Sequence, residues 1–258
     1  MKFLFIVQGE GRGHFTQAIT LEEMLLRNGH EVVEVLVGKS STRTLPGFFN
    51  RSIHAPVKRF ISPNFLPTAD NKRANLTKSF AYNLLRLPEY LRSMYYINQR
   101  IRETGAEVVI NFYELLTGLT YALFRPSVPY ICFGHQYLFL HRDFEFPDKN
   151  SCQLWMLRFF TRMTALRSSK KLALSFLEME QDDMNQIVTV PPLIRQEVTA
   201  IRPEKGDYIH GYMVNSGFAD SVESFHAKHP EVPLTFFWDR SDAEEVTRID
   251  ETLSFHQI

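Results

Sequence analysis

Lys2-Phe3-Leu4-Phe5-Ile6-Val7-Gln8, then Gly9-Glu10-Gly11-Arg12-Gly13-His14, then Phe15 to Asn28, reads as a strand, a glycine-rich turn and a helix. The strand is a continuous apolar run, the pattern of a parallel strand covered on both faces. The turn follows the dinucleotide fingerprint at two glycines, but His14 stands where that fingerprint wants a third. The turn therefore keeps the tight backbone of a phosphate or sugar site and adds an imidazole at the mouth of the sheet. The helix carries Ala18, Leu21 and Leu25 at helical spacing and stops at Asn28-Gly29.

Further along, short Val-, Ile-, Leu- and Phe-rich runs alternate with helical patterns, as in an α/β protein with a parallel sheet. Strands are expected at Phe3–Gln8, Glu31–Val37, Glu107–Phe112, Tyr130–Phe133, Lys171–Ser175 and Gln186–Val190. Between the second and third of these lies a long insertion, residues 39–104. Its first half contains Pro46, Pro56, Pro63 and Pro67 and reads as loop. It is also basic: Lys39, Arg43, Arg51, Lys58, Arg59, Lys72, Arg73 and Lys78 stand against the single acid Asp70. The second half, residues 74–102, is helical in pattern, with Pro88 breaking or kinking it.

The pattern changes at Pro191-Pro192-Leu193-Ile194-Arg195, and a polar stretch with Pro203 and Gly206 follows. This reads as an interdomain linker. A fresh strand at Tyr208–Val214, the turn Asn215-Ser216-Gly217, a helix from about Phe218 and a strand at Pro233–Trp238 repeat the logic of the first unit. The expected organisation is a Rossmann-like domain over 1–195, followed by a linker and the start of a second domain over 196–258. About one and a half βα units after the linker are too few for a core of their own. The chain is accordingly expected to be a shortened form of a two-domain protein.

The 258 residues are 44% apolar, enough for a sizeable core, and carry 29 basic and 29 acidic residues. With no net charge, no overall field favours nucleic acid. Cys132 and Cys152 form no disulfide or metal pattern, which suits a reducing cytoplasm. The short apolar run Phe3–Val7 is no signal peptide, and no stretch approaches the roughly 20 apolar residues of a membrane span.

The run Gly9–Ala18, with Leu25 and Arg27-Asn28-Gly29-His30-Glu31-Val32, resembles the N-terminus of GT-B glycosyltransferases. The nearest patterns are those of the peptidoglycan lipid-linked N-acetylglucosaminyltransferase and the diacylglycerol glycosyltransferases. Macrolide-type and glucuronosyl-type transferases share a looser version. Glu107–Asn111, Val128-Pro129-Tyr130-Ile131 with His135-Gln136, and the hinge-like Pro191–Arg195 add weaker matches. Thr16 departs slightly, since the family often has a proline or another small residue there. The resemblance covers residues 1–195, extends to 207–217, and stops short of the family's Gly-rich, Glu-containing donor signature.

It implies a GT-B glycosyltransferase with an incomplete second domain, inactive by itself in this form, using a nucleotide-sugar as co-substrate and neither cofactor nor metal. Inverting glycosyl transfer needs a base for the acceptor hydroxyl, and positive or dipolar groups facing the diphosphate. His14, at a helix N-terminus, is the candidate base, its neutral form favoured by the helix dipole. A carboxylate at Glu114, after the Glu107–Phe112 strand, sits where open α/β sheets bind ligands, and is the second catalytic candidate. It would equally serve as a first-turn carboxylate on the next helix. Gly11, Arg12 and Gly13, His135 and Gln136, and Asn215, Ser216 and Gly217 are the candidate acceptor- and donor-binding positions. Gly9, Gly11 and Gly13 also serve backbone geometry. Partners expected are a nucleotide-sugar donor and an unidentified acceptor, a lipid-linked one included, but no nucleic acid. The basic segment and the aromatic helix after it (Phe80, Tyr82, Tyr90, Tyr95, Tyr96) would hold acceptor or press on anionic lipid. That gives a cytoplasmic protein with peripheral membrane contact. A solvated loop and a core-facing helix explain the same residues. His54, His141, His210, His226, His229 and His256 have no ligand-like spacing.

Two alternatives stand beside the transferase. A UDP-sugar epimerase shares the two-domain fold but needs carboxylates around the cleft, and Glu114 alone is a poor set. A non-catalytic nucleotide- or sugar-binding module needs only the turns. A dehydrogenase is disfavoured because Val37 runs into Gly38 and Lys39, with no acid ending the second strand.

Overall fold

A computed structural model describes residues 1–39, 45–64, 66, 76–146, 151–213, 216–238, 240 and 243–257. The chain falls into two compact units, Met1–Asn64 with Asn83–Ala200, and Phe65–Tyr82 with Ile201–Ile258.

In chain order the elements run β1 (Lys2–Gln8), α1 (Arg12–Arg27), β2 (Glu31–Lys39), α2 (Gly47–Ser52), β3 (Val57–Ile61), α3 (Leu76–Leu85), α4 (Leu87–Glu103), β4 (Val108–Phe112) and α5 (Leu115–Phe124). Then come β5 (Tyr130–Phe133), a 3-10 helix at His135–Leu140, α6 (Cys152–Thr164), β6 (Lys170–Leu174), β7 (Ile187–Val190) and α7 (Gln196–Ala200). The seven strands pair in the order β3-β2-β1-β4-β5-β6-β7, and every pairing is parallel.

The sheet is buried on both sides because its central strands are apolar at nearly every position. Leu4 and Ile6 of β1 join Leu36, Val109 and helices α4 and α5 in one hydrophobic cluster. Phe3, Phe5 and Val7 point the other way, into a cluster with Phe15, Ala18 and Ile19 of α1. This period-two split of one strand between two cores is the signature of helices on both faces. β1 lies between β2 and β4, so the chain leaves its neighbourhood in both directions. The crevice at the carboxyl ends of β1 and β4 is therefore the topological switch point, where open α/β sheets take ligands.

Three sequence expectations change. The proline-containing half of the insertion is not simply loop, since it holds α2 and the edge strand β3. Pro46 and Pro56 flank these elements rather than filling them. β3 escapes notice because it pairs on one side only and carries Lys58 and Arg59 in its middle. Lys58 binds Glu34 Oε2 at 2.8 Å, and Arg100 of α4 grips the same nearly buried carboxylate from Nε and Nη2 at 2.8 and 2.9 Å. α1 begins at Arg12, three residues early, so Arg12, Gly13 and His14 form its first turn, with Gly11 as the extended N-cap. Pro88 falls in the first turn of α4, where a missing N–H costs nothing, and the helical stretch divides at Arg86.

The second unit is richer than the sequence suggests. Its strands β8 (Ile209–Met213), β9 (Leu234–Trp238), β10 (Val246–Arg248) and β11 (Leu253–Gln257) order as β10-β11-β9-β8. A 3-10 turn, Ser216–Phe218, and α8 (Ala219–His226) follow β8. Met213, Ala219, Leu234, Trp238, Leu253 and Phe255 form a core, with the Trp238 and Phe255 rings stacked 4.4 Å apart. β11, lying inside this sheet, supplies Leu253 and Phe255 to that core. Among the described residues, no helix is long and apolar enough to cross a membrane.

Candidate functional site

The site is built at the switch point from three strand ends. β1 stops at Gln8, and the Gly9 N–H donates to Gly38 O at 2.7 Å. Gly9 has no room for a side chain, because a Cβ there would lie 2.6 Å from Gly38 O. Gly11 and Gly13 are different: a Cβ on either would meet nothing within 4 Å. They leave bare backbone facing open space at the start of a 16-residue helix, whose first N–H groups have no intrahelical partner. Arg12 is half-buried beside them.

His14 sits on that first turn and is almost fully buried. Burial pushes its pKa down from the ordinary imidazole value to about 4; Gln17, one turn along α1, opposes the shift by hydrogen bonding, and the charge of His135 adds to it. The ring is therefore neutral at physiological pH. Gln136 Nε2 lies 3.5 Å from His14 Nε2. His14 Nδ1, Gln17 Oε1 and Gln136 Oε1 are buried without a closed hydrogen bond among the described residues.

β4 ends in a tight turn onto α5. Asn111 braces it: its Oδ1 accepts the Glu114 N–H at 2.9 Å, and its Nδ2 donates to Glu114 O at 3.2 Å and Thr164 O at 2.9 Å. Between them Tyr113 is held at φ 61°, a left-handed conformation that a bulky residue rarely takes. Its ring lies 5.9 Å from that of His14, the planes 19° apart.

Glu114, the second catalytic candidate, is fully buried. Its Oε1 accepts from Ser62 Oγ at 2.6 Å and from the Leu116 N–H at 3.0 Å, which makes it the N-cap of α5. Burial raises its pKa to about 7, the Ser62 and Leu116 hydrogen bonds pull back, and the charge of Glu10 adds to the rise. Its Oε2 has no hydrogen-bond partner among the described residues. The capping role foreseen for this carboxylate is present, together with a perturbed proton affinity.

His135 and Gln136 open the 3-10 helix after β5. His135 is exposed, and its Nδ1 stands 3.1 Å from Leu174 O at the end of β6. The structure thus brings His14 and Gln136 together and adds Tyr113, Gln17 and Asn111, which the sequence reading missed. The available signal was an asparagine inside an otherwise apolar strand, three residues before Glu114. Ser216 and Gly217 lie in the 3-10 turn after β8 of the second unit, and Asn215 lies outside the described residues. Of the aromatic helix, Tyr90 is buried with its hydroxyl donating to Asn83 Oδ1 at 2.6 Å, whereas Tyr95 is exposed. Among the described residues, no group of three or more His, Cys, Asp or Glu is placed to hold a metal ion.

The sequence profile of glycosyl transferase family 1 matches residues 1–249. The whole chain superimposes on 70% of Phytolacca americana UGT2, solved with UDP-2fluoro-glucose and pterostilbene, at a TM-score of 0.56 and 12% identity. It superimposes equally completely on 68% of Arabidopsis thaliana UGT89C1, complexed with UDP-L-rhamnose, at a TM-score of 0.55 and 15% identity. A third likeness covers the whole chain and 72% of the Streptomyces sp. SF2575 glycosyltransferase SsfS6, complexed with thymidine diphosphate, at a TM-score of 0.54 and 12% identity. At such identities these three are likenesses of fold. No curated protein gives a significant match.

Proposed function

The chain belongs to glycosyl transferase family 1 and is a glycosyltransferase of GT-B fold, and from that premise we propose that His14 is the base that activates the acceptor of a nucleotide-sugar donor. The observation that carries this is a neutral, buried imidazole on the first turn of α1, at the switch point of the sheet. In an inverting displacement, His14 Nε2 takes the acceptor hydroxyl proton as the oxygen attacks the anomeric carbon. The bond to the diphosphate breaks in the same step, leaving its electron pair on the phosphate oxygen. A pKa of about 4 makes a weak base in the free protein. A diphosphate beside the ring raises its proton affinity, so the base strengthens when the donor is present.

The open backbone at Gly11 and Gly13, and the turn at Ser216-Gly217, are the proposed anion-facing positions, with helix N–H groups in place of a metal. Tightly spaced carboxylates for epimerisation are not what surrounds His14; Gln17, Gln136 and Tyr113 are. An apolar, lipid-linked acceptor and peripheral membrane contact by a cytoplasmic protein form part of the proposal, supported by exposed Leu87, Leu91 and Tyr95 along one side of α4.

The test is nucleoside diphosphate release from a panel of UDP- and dTDP-sugars, with and without lipid and small-molecule acceptors, in the presence of EDTA. Acceptor-dependent release that falls about 100-fold or more in His14→Ala is the expected result. Release of an epimerised nucleotide sugar would favour the epimerase. Binding without any turnover would leave a non-catalytic module.

A further inference from the structure

Tyr113 is the aromatic neighbour of the proposed base, and everything around it fixes its ring. Its backbone is forced to φ 61° at the end of β4. Asn111 holds both sides of that turn through its bonds to the N–H and carbonyl of Glu114. The Tyr113 hydroxyl meets Thr161 Oγ1 of α6 at 2.8 Å, and Thr161 is itself fully buried. Tyr137 and Phe160 pack edge-on and tilted against the ring, both at 5.6 Å. The remaining face of Tyr113 is stacked on His14.

A left-handed tyrosine is strained and persists only where its surroundings over-determine it. Placing the ring against His14 is what that conformation achieves here.

We propose that Tyr113 is a positioning residue: its clamped ring sets the plane of the His14 imidazole and keeps water from it, holding Nε2 aimed into the site. The inference rests on the reading of His14 as the base. On this proposal Tyr113 acts through His14 and not on the substrate itself. Three neighbours share in setting the state of the ring. Gln17 lies on α1, Gln136 on the 3-10 helix, and His135, next to Gln136, is the titratable one.

The experiment is NMR titration of His14, without substrate, in the full chain and in Tyr113→Phe and Tyr113→Gly. Glycine suits the left-handed backbone, so this variant removes the ring without adding strain. In the parent, the His14 Cε1–H resonance carries an upfield ring-current displacement. Tyr113→Phe keeps both the displacement and the low pKa. Tyr113→Gly loses the displacement, and its His14 pKa climbs by roughly one unit or more towards the ordinary imidazole value as water reaches the ring. In turnover, Tyr113→Gly lowers kcat about tenfold or more with donor KM little changed, and Tyr113→Phe restores it. A folded Tyr113→Gly whose His14 titrates like the parent overturns the proposal. So does a parent with no ring-current displacement, which decides the matter even if the glycine variant fails to fold. Because the titration needs no substrate, its failure is separate from a failure of the transferase reading, which donor turnover tests.

Discussion

Gly38, near the end of β2, is covered by the carboxylate of Glu114: a Cβ at position 38 would overlap Glu114 Oε2 and lie 2.8 Å from Phe60 Cζ. Two strands away in sequence, the glycine makes the space in which the α5 cap sits. Gly38→Ala is expected to destabilise the protein by about 1–3 kcal/mol, the usual cost of overpacking. Urea unfolding of both proteins checks this, and an unchanged midpoint would mean that Glu114 moves aside freely.

Glu114 also predicts a pH dependence of stability. Its folded pKa, about 7, lies above the ordinary carboxylate value of 4.5. The folded state therefore holds the proton more tightly, and this contribution is complete below about pH 4.5 and is lost as pH rises through about 7. Glu114→Gln keeps an acceptor for Ser62 and Leu116 and abolishes the buried charge. It should match the parent near pH 4 and exceed it near pH 9 by on the order of 3 kcal/mol. Unfolding curves at the two pH values suffice; a gap that does not change with pH defeats the assignment.

For His14 the sign is opposite. The folded imidazole titrates at about 4 against an ordinary 6.5. As the proposed base it must be unprotonated, so kcat/KM should be level from about pH 8 to 5 and fall roughly tenfold per unit below 4. A fall centred near the ordinary imidazole value would show that the ring is wetter than its burial indicates.

In the second unit, Asp250 ties α8 to β11. Its Oδ2 meets His226 Nε2 at 2.6 Å, and its Oδ1 accepts the N–H groups of Thr252 and Leu253 at 2.8 and 2.9 Å. The His226 bond and those backbone donors depress its pKa to about 2. The stabilisation is thus present above the ordinary aspartate value and disappears as pH falls through about 2. Asp250→Asn should lower the melting temperature at neutral pH, and the difference from the parent should close in strong acid. A constant difference would assign the loss to packing.

What the sequence disclosed follows from where burial is symmetric. β1, β4 and β5 are apolar at nearly every position because both faces are covered, so their limits were readable within a residue or two. β3 was not, since its Lys58 is paired with Glu34, a partner 24 residues back that no local pattern shows. His14 and its place on a helix start were legible from the glycine spacing. The partners of His14 were not, because Tyr113 reaches it through a backbone conformation that propensities argue against. Nor could Glu114 be divided in advance between cap and chemistry, as one buried carboxylate caps α5 and also carries a raised proton affinity.

The strand order has a consequence for synthesis. β1 pairs on one side with β2, which follows within a few dozen residues, but on the other with β4, in the register Phe3 with Val108 through Val7 with Phe112. Until residue 112 has left the ribosome, this buried apolar strand has one open edge. That nascent intermediate is the form of this protein most exposed to mispairing, and the one a chaperone would recognise first.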